Sequence, residues 1–136
     1  MVIEELTSDD VAGAVALWRE VALTRPWNDP DADFLRALSG TTSTVLGARE
    51  KSLVIGTVMV GHDGHRGWVY YLAVSPPWQH HGIGAQLMEA AENWLRDRGT
   101  VKVQLMVRDT NRETLRFYER LGYEDANVTV MARWLE

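Results

Sequence analysis

The stretch from Thr44 to Val74 limits this chain more than any other. Three runs rich in β-branched and aromatic residues, Thr44 to Arg49, Leu53 to Gly61 and Trp68 to Val74, follow one another across E-K-S and G-H-D-G-H-R-G. Both connectors have turn composition, so the runs are expected to pair as three antiparallel strands. Before them, Val2 to Leu6 reads as a strand. Thr7-x-x-Asp10 has the spacing of a capping box ahead of apolar residues at Val11, Ala14, Val15, Trp18, Val21 and Ala22, the stripe of an amphipathic helix. T-R-P-W-N-D-P, Thr24 to Pro30, cannot continue that helix, because its two prolines remove amide donors and restrict the residues before them. A short helix is expected from Asp31 to Leu38, ended by Gly40.

After Pro76 and Pro77 comes Q-H-H-G-I-G. Ile83, Leu87, Ala90, Ala91, Trp94 and Leu95 then recur at helical spacing until Gly99. Val101 to Val107 alternates as a strand, Asn111 to Leu121 reads as a helix closed by Gly122, and Val128 to Trp134 as a last strand. Strands on both sides of two helices imply a mixed sheet rather than a sandwich or a bundle.

At 136 residues the chain suits a single domain spanning 1–136. For its mass, folding should leave roughly 7,000 Å² exposed. Fourteen Lys and Arg against nineteen Asp and Glu give a net charge of −5, which argues against nucleic acid and anionic membrane as partners. Without cysteine there is no disulfide framework, thiolate nucleophile or Cys-ligated metal. His62, His65, His80 and His81 lack the convergent spacing of a metal site, so no metal is expected. The acidic start M-V-I-E-E-L is unlike a signal peptide, and Leu53 to Val60 is too short to span a bilayer, so a cytoplasmic location is expected.

The informative unit is Leu72-Ala73-Val74-Ser75-Pro76-Pro77-Trp78-Gln79-His80-His81-Gly82-Ile83-Gly84. A strand that passes through a glycine-bearing loop into a helix leaves several amides unpaired at the positive helix end, which together make an anion site. Gly82 and Gly84 let a diphosphate approach the main chain more closely than a Cβ allows, and Ala85 helps for the same reason. The segment is neither a Walker loop nor a dinucleotide fingerprint, since it lacks Gly-Lys-Ser/Thr and G-x-G-x-x-G. Paired glycines at a helix start also serve tight packing, and spacing alone leaves that alternative open.

Gln79-x-x-Gly82-x-Gly84 resembles the acetyl-CoA loop of the GCN5-related N-acetyltransferase (GNAT) family, and Asn111-R-E-T-L-R-F-Tyr118-E-R-Leu121-Gly122-Tyr123 resembles that family's second helix motif. R-P-W-N-D-P and D-G-H-R-G look like a small bacterial subgroup of it. The resemblance implies an α/β (α+β), three-layer fold. Its sheet would be mixed but mostly antiparallel, of six to seven strands flanked by about four helices and splayed between strands 4 and 5. The pantetheine arm of acetyl-CoA would lie in that gap and pair with Leu72, Ala73 and Val74. The loop amides around His81, Gly82, Gly84 and Ala85 would hold the pyrophosphate, Gln79, His80 and Ile83 would complete the cofactor-binding loop, and Asn111 and Tyr118 would meet the cofactor arm. His80 departs from the pattern, standing where many members carry glycine.

The implied reaction moves an acetyl group from acetyl-CoA to a primary amine of a small molecule or a peptide through a tetrahedral intermediate. It needs an oxyanion donor, here the backbone N–H at Val74, and a proton for the departing thiolate, here from Tyr118. A phenol titrates at about 10, above a thiol at about 8.5, so it still holds its proton at neutral pH. Asp63, His65, Tyr70 and Glu124 each offer a general base without distinction. Trp27, Asn28, Asp29, Asp63, Arg66, Trp68 and Tyr70 are the expected acceptor-side lining, although Asp63-Gly64 also suits a hairpin turn and Asp29 a helix cap. A homodimer contact near Val128 to Trp134 is expected. The alternative function is a non-catalytic acyl-CoA-binding or regulatory module.

Overall fold

Strand pairing in the computed structural model, which describes residues 1–136, follows the three central runs closely. The elements are β1 (Val2–Glu5), α1 (Val11–Glu20), α2 (Pro30–Ser39), β2 (Ser43–Glu50), β3 (Leu53–His62), β4 (Gly67–Val74), α3 (Ile83–Arg96), β5 (Val103–Gln104) and α4 (Arg112–Arg120). The sheet order is β1-β2-β3-β4-β5. Its first three pairings are antiparallel and only β4–β5 is parallel, so the sheet is mixed and mostly antiparallel, with four helices. Two compact units divide the chain, Met1–Met106 and Val107–Glu136.

In the first unit α1 and α2 cover one face of the sheet. Trp18, Phe34 and Ala37 from these helices pack with Val45, Val54 and Ala73. The other face carries α3: an added Cβ at Gly56 would lie 2.9 Å from Leu87 Cδ1, and one at Gly67 would lie 2.6 Å from Leu95 Cδ1. Helix, sheet and helix form three layers. The turn Asp63-Gly64 closes β3 onto β4 as its composition implies, with Gly64 in the left-handed region at φ 88°.

Two expectations are corrected. The sheet has five strands rather than six or seven. Val101 to Val107 contributes only Val103–Gln104, and Val128 to Trp134 forms no strand. Alternating side chains specify a face but not a partner, and a strand exists only where its amides find a ladder. Every residue from Glu124 to Glu136 is exposed, so the proposed dimer contact there is not a sheet edge. The accessible surface is accordingly 9113 Å², above the value expected for this mass.

Candidate active site

β4 is where the fold departs most from regularity. The register shifts between Thr57 and Met59, so that one residue of β3 faces two of β4. Tyr71 takes a left-handed φ of 52° at this bulge. Gly67 and Val69 face α3, whereas Tyr71 and Ala73 face α1 and α2, because the extra residue reverses the alternation. A non-glycine residue in that conformation costs about 1–2 kcal/mol and must be held. Tyr71 stacks on Trp18 with ring centroids 3.9 Å apart. The Trp18 indole donates to Thr57 Oγ1 at 2.8 Å, and that hydroxyl donates to the Tyr71 carbonyl at 2.9 Å. The Tyr71 phenol donates to Asp33 Oδ2 at 2.8 Å. Burial, reinforced by the Asp33 carboxylate, pushes the phenol's pKa well above its ordinary value.

Beyond the bulge, β4 is open on its outer side. β5 pairs with β4 only at Gly67 and Trp68. Ser75 N–H bonds the Ile55 carbonyl at 2.8 Å, which makes Gly56 and Val74 a non-hydrogen-bonded pair. By antiparallel alternation the Val74 amide therefore points away from β3, toward the edge that β5 leaves open. On the same side the Val74 carbonyl accepts from Gln79 Nε2 at 2.9 Å, which ties the loop to the strand end.

The loop then turns through two left-handed residues, His80 at φ 66° and Gly82 at φ 82°. Gly82 is the N-cap of α3, no side chain caps the helix, and its first turn holds no acid. The earliest intrahelical bond runs from Gln86 N–H to the Gly82 carbonyl. The amides of Ile83, Gly84 and Ala85 thus form the uncapped positive end of a fourteen-residue helix. A Cβ at Gly82 would meet no protein atom within 4 Å. The glycine answers to its left-handed φ of 82° rather than to packing, and the space a Cβ would take holds no protein atom. A coenzyme A diphosphate fits these features: amide donors, a positive helix end, no competing carboxylate and a bare backbone.

Several of the residues expected on the acceptor side make structural hydrogen bonds. Asp63 Oδ1 accepts from the amides of His65 and Arg66 at 2.9 and 2.7 Å, and Oδ2 accepts from Trp68 Nε1 at 3.2 Å. The Arg66 and His65 amides hold its carboxyl below the usual range, so Asp63 is a turn anchor with little left to offer as a base. Asp29 caps α2 by accepting from Ala32 N–H at 3.1 Å. Arg66 donates to the His65 carbonyl, and Asn28 N–H to the Arg25 carbonyl. Trp27 and Tyr70 are exposed, and Tyr70 shares the α1/α2 face with Tyr71. Partial withdrawal of its hydroxyl from water and then the Asp63 charge raise the Tyr70 pKa, although much of the ring is exposed.

In the second unit Asn111 Oδ1 caps α4 by accepting from Thr114 N–H at 3.2 Å. Tyr118 meets Phe117 and Tyr123 edge-on, at 5.0 and 5.6 Å between centroids. Burial pushes its phenol up to about 12. The histidines belong to no group of metal-binding side chains. No helix is long and apolar enough to cross a membrane. A cavity of about 600 Å³ lies at the far end of the sheet from the loop, lined among others by Thr7, Ser43, Trp94 and Arg98.

Sequence reading missed Asp33, Tyr71 and Thr57. Adjacent tyrosines in an otherwise alternating strand were the one available signal, since both can face the same side only at a bulge.

A family model described as the Acetyltransferase (GNAT) family matches residues 11–123. Among solved structures, an aminoglycoside acetyltransferase from an uncultured soil metagenomic sample, in complex with sisomicin, superposes with TM-score 0.83 at 19% identity, covering 99% of this chain and 96% of that one. Aminoglycoside N-acetyltransferase AAC(6')-Iy in complex with CoA gives 0.85 at 15%, covering 98% and 94%. A transcriptional regulator from Bacillus halodurans C-125 gives 0.81 at 20%, covering 98% and 99%. At these identities the likeness is one of fold.

Proposed function

The chain belongs to the GNAT acetyltransferase family, and on that premise we propose that it is an acetyl-CoA-dependent N-acetyltransferase acting on a primary amine, its two units working as one domain. The observation that carries this reading is the open, uncapped start of α3 at Gly82, directly downstream of an unpaired strand edge. Similar proteins bind CoA and an aminoglycoside, which favours a small amine as acceptor. Bound acetyl-CoA supplies a thioester whose acetyl group passes to the amine nitrogen as the thiol departs.

Each residue's part follows from its chemistry. The amides of Gly82 to Ala85 hold the diphosphate, and Gln79 keeps the loop against the strand through the Val74 carbonyl. The Val74 N–H donates to the carbonyl oxygen as charge develops there, the term that most often dominates acyl transfer. Tyr118 is still protonated in the working pH range, gives its proton to the departing sulfur and takes back the one that the acylated nitrogen sheds, so that amine and thioester leave as amide and thiol. Asn111 orients the cofactor arm with the amide nitrogen that its capping role leaves available.

The test is free-thiol release from acetyl-CoA in the presence of an amine library. Amine-dependent release that disappears in Gly82→Ala supports the reading. Tight CoA binding without release from any amine identifies an acyl-CoA-binding module instead.

A further inference from the structure

The buried polar side chains are Thr44 and Thr57. Thr57 is fully engaged, its hydroxyl accepting from Trp18 and donating to the Tyr71 carbonyl. Thr44 is only 6% exposed, yet its hydroxyl makes no hydrogen bond within the chain. No sealed side-chain oxygen lacks a partner, so the Thr44 hydroxyl opens into a space rather than into packing. That space is the cavity of about 600 Å³ at the end of the sheet opposite the α3 loop, which Thr44 lines. Small-molecule sites typically measure roughly 300–1,000 Å³. Val45 packs with α1 and α2, so by alternation Thr44 looks to the other face, where α3 lies. A hydroxyl there does nothing for packing that a valine would not do. Two charges share the cavity wall. The Trp94 indole donates to Glu5 Oε1 at 3.2 Å. Arg98 lies over the face of the same ring, its Cζ 3.6 Å from the centroid, and donates from Nη1 to the Trp94 carbonyl at 3.0 Å. One indole thus fixes both charges without joining them, and neither has an ion-pair partner. Glu5 Oε2 and Arg98 Nε and Nη2 are left for an outside group. Leu35 and Leu38 of α2 line the apolar side of the cavity, and Leu35 is exposed.

We propose that this cavity is a second ligand site, which takes a free α-amino acid with an apolar side chain. Arg98 receives its carboxylate, Glu5 its ammonium, and the Thr44 hydroxyl donates to a carboxylate oxygen. The ligand's hydrocarbon lies against Leu35 and Leu38. Opposite charges held by one ring without pairing suit a zwitterion whose own charges flank a single carbon. A plain carboxylate would face Glu5 and a plain amine Arg98, so either alone meets a like charge on the wall. Because Trp94 already orients both side chains, little rotamer freedom is lost on binding. Trp94 and Arg98 stand at the C-terminal end of α3, whereas the loop proposed for coenzyme A opens that helix at Gly82. Fourteen helical residues separate the two places by about 20 Å, so the ligands do not compete. The inference stands apart from the acetyltransferase reading.

The test is calorimetric titration of L-leucine into the wild type, alone and with saturating coenzyme A. The analogues 4-methylpentanoate and 3-methylbutylamine lack the ammonium and the carboxylate respectively. Leucine should bind with a Kd of about 1 mM or below, unchanged by coenzyme A. It should bind at least about tenfold more tightly than either analogue. Thr44→Val keeps the shape of the side chain but removes the hydroxyl. It should weaken leucine about tenfold, the scale of a hydrogen bond to a charged group, while Thr44→Ser stays within about threefold of the wild type. Glu5→Gln keeps an acceptor for the Trp94 indole but loses the charge, and should bring leucine and 4-methylpentanoate to within about twofold. No binding of leucine, equal affinity in the wild type and Thr44→Val, or displacement of leucine by coenzyme A overturns the proposal. Thermal melts show whether each variant is folded at the titration temperature. If Glu5→Gln is not, Arg98→Met, which keeps a stem over Trp94 without the charge, must bring leucine and 3-methylbutylamine to the same affinity. If coenzyme A itself fails to bind, the acetyltransferase reading falls, and the leucine titration still decides this one.

Discussion

Replacing His80 by glycine should stabilise the protein, and the size of the effect follows from its backbone. His80 sits at φ 66° in an exposed loop and makes no hydrogen bond, so its side chain contributes little to offset the conformation. A left-handed L-residue costs about 1–2 kcal/mol. Glycine removes that cost but adds about 0.4–1 kcal/mol of chain entropy to the unfolded state. The net gain is about 0.5–1 kcal/mol. With an unfolding entropy near 2.1 cal/mol/K per residue, this length loses about 0.3 kcal/mol per degree, so Tm should rise by about 2–3 °C. His81 is the control. It is not in the positive-φ region, so His81→Gly incurs only the entropy term and should lower Tm by about 1–3 °C. The assay is circular dichroism melting of both variants, with urea titration for free energies. Opposite signs support the backbone argument. A fall in Tm for His80→Gly, or equal shifts in both, would refute it.

Other perturbations probe packing and proton transfer. Gly56→Ala places a Cβ 2.9 Å from Leu87 Cδ1 and 3.2 Å from the Ala73 carbonyl oxygen, at the junction of β3, β4 and α3. Overpacking there should cost about 1–3 kcal/mol, measured by urea unfolding, and no loss would mean that α3 yields freely. Tyr118→Phe should lower kcat about 100-fold or more with CoA affinity unchanged, and near-wild-type turnover would remove Tyr118 from the mechanism. The phenol also sets a pH dependence. Its folded value near 12 lies above the unfolded value, so its stabilisation is complete below about pH 10 and is lost as pH rises through 12. The loss should approach about 2–3 kcal/mol by pH 12, and Tyr118→Phe should show a correspondingly smaller decline in alkaline urea titrations.

What could be read from the sequence was whatever is local in the chain. The Asp63-Gly64 turn, the α2 cap at Asp29 and the glycine entry to α3 all depend on residues within a few positions of one another. Trp18 was legible as a buried position on a helical stripe. Its indole bond to Thr57, 39 residues away, was not. Asp33 reads as one of two acids in the first turn of α2, and only the reach of Tyr71 across 38 residues singles it out. The bulge that turns Tyr71 toward α1 is a register shift between two strands, which alternation within either strand cannot reveal. Val128 to Trp134 fails for the complementary reason: its alternation is real, but no ladder receives it.

Calorimetric titration of coenzyme A into the wild type and Gly82→Ala tests the account most directly. An added Cβ at Gly82 meets no protein atom within 4 Å, and the strain of alanine at φ 82°, about 1–2 kcal/mol, is read separately from thermal melts of the two proteins. Micromolar-range binding by the wild type, weakened at least about tenfold in the variant at a temperature where both are folded, is the predicted result. No heat from the wild type, or equal affinity in the two proteins, would contradict it.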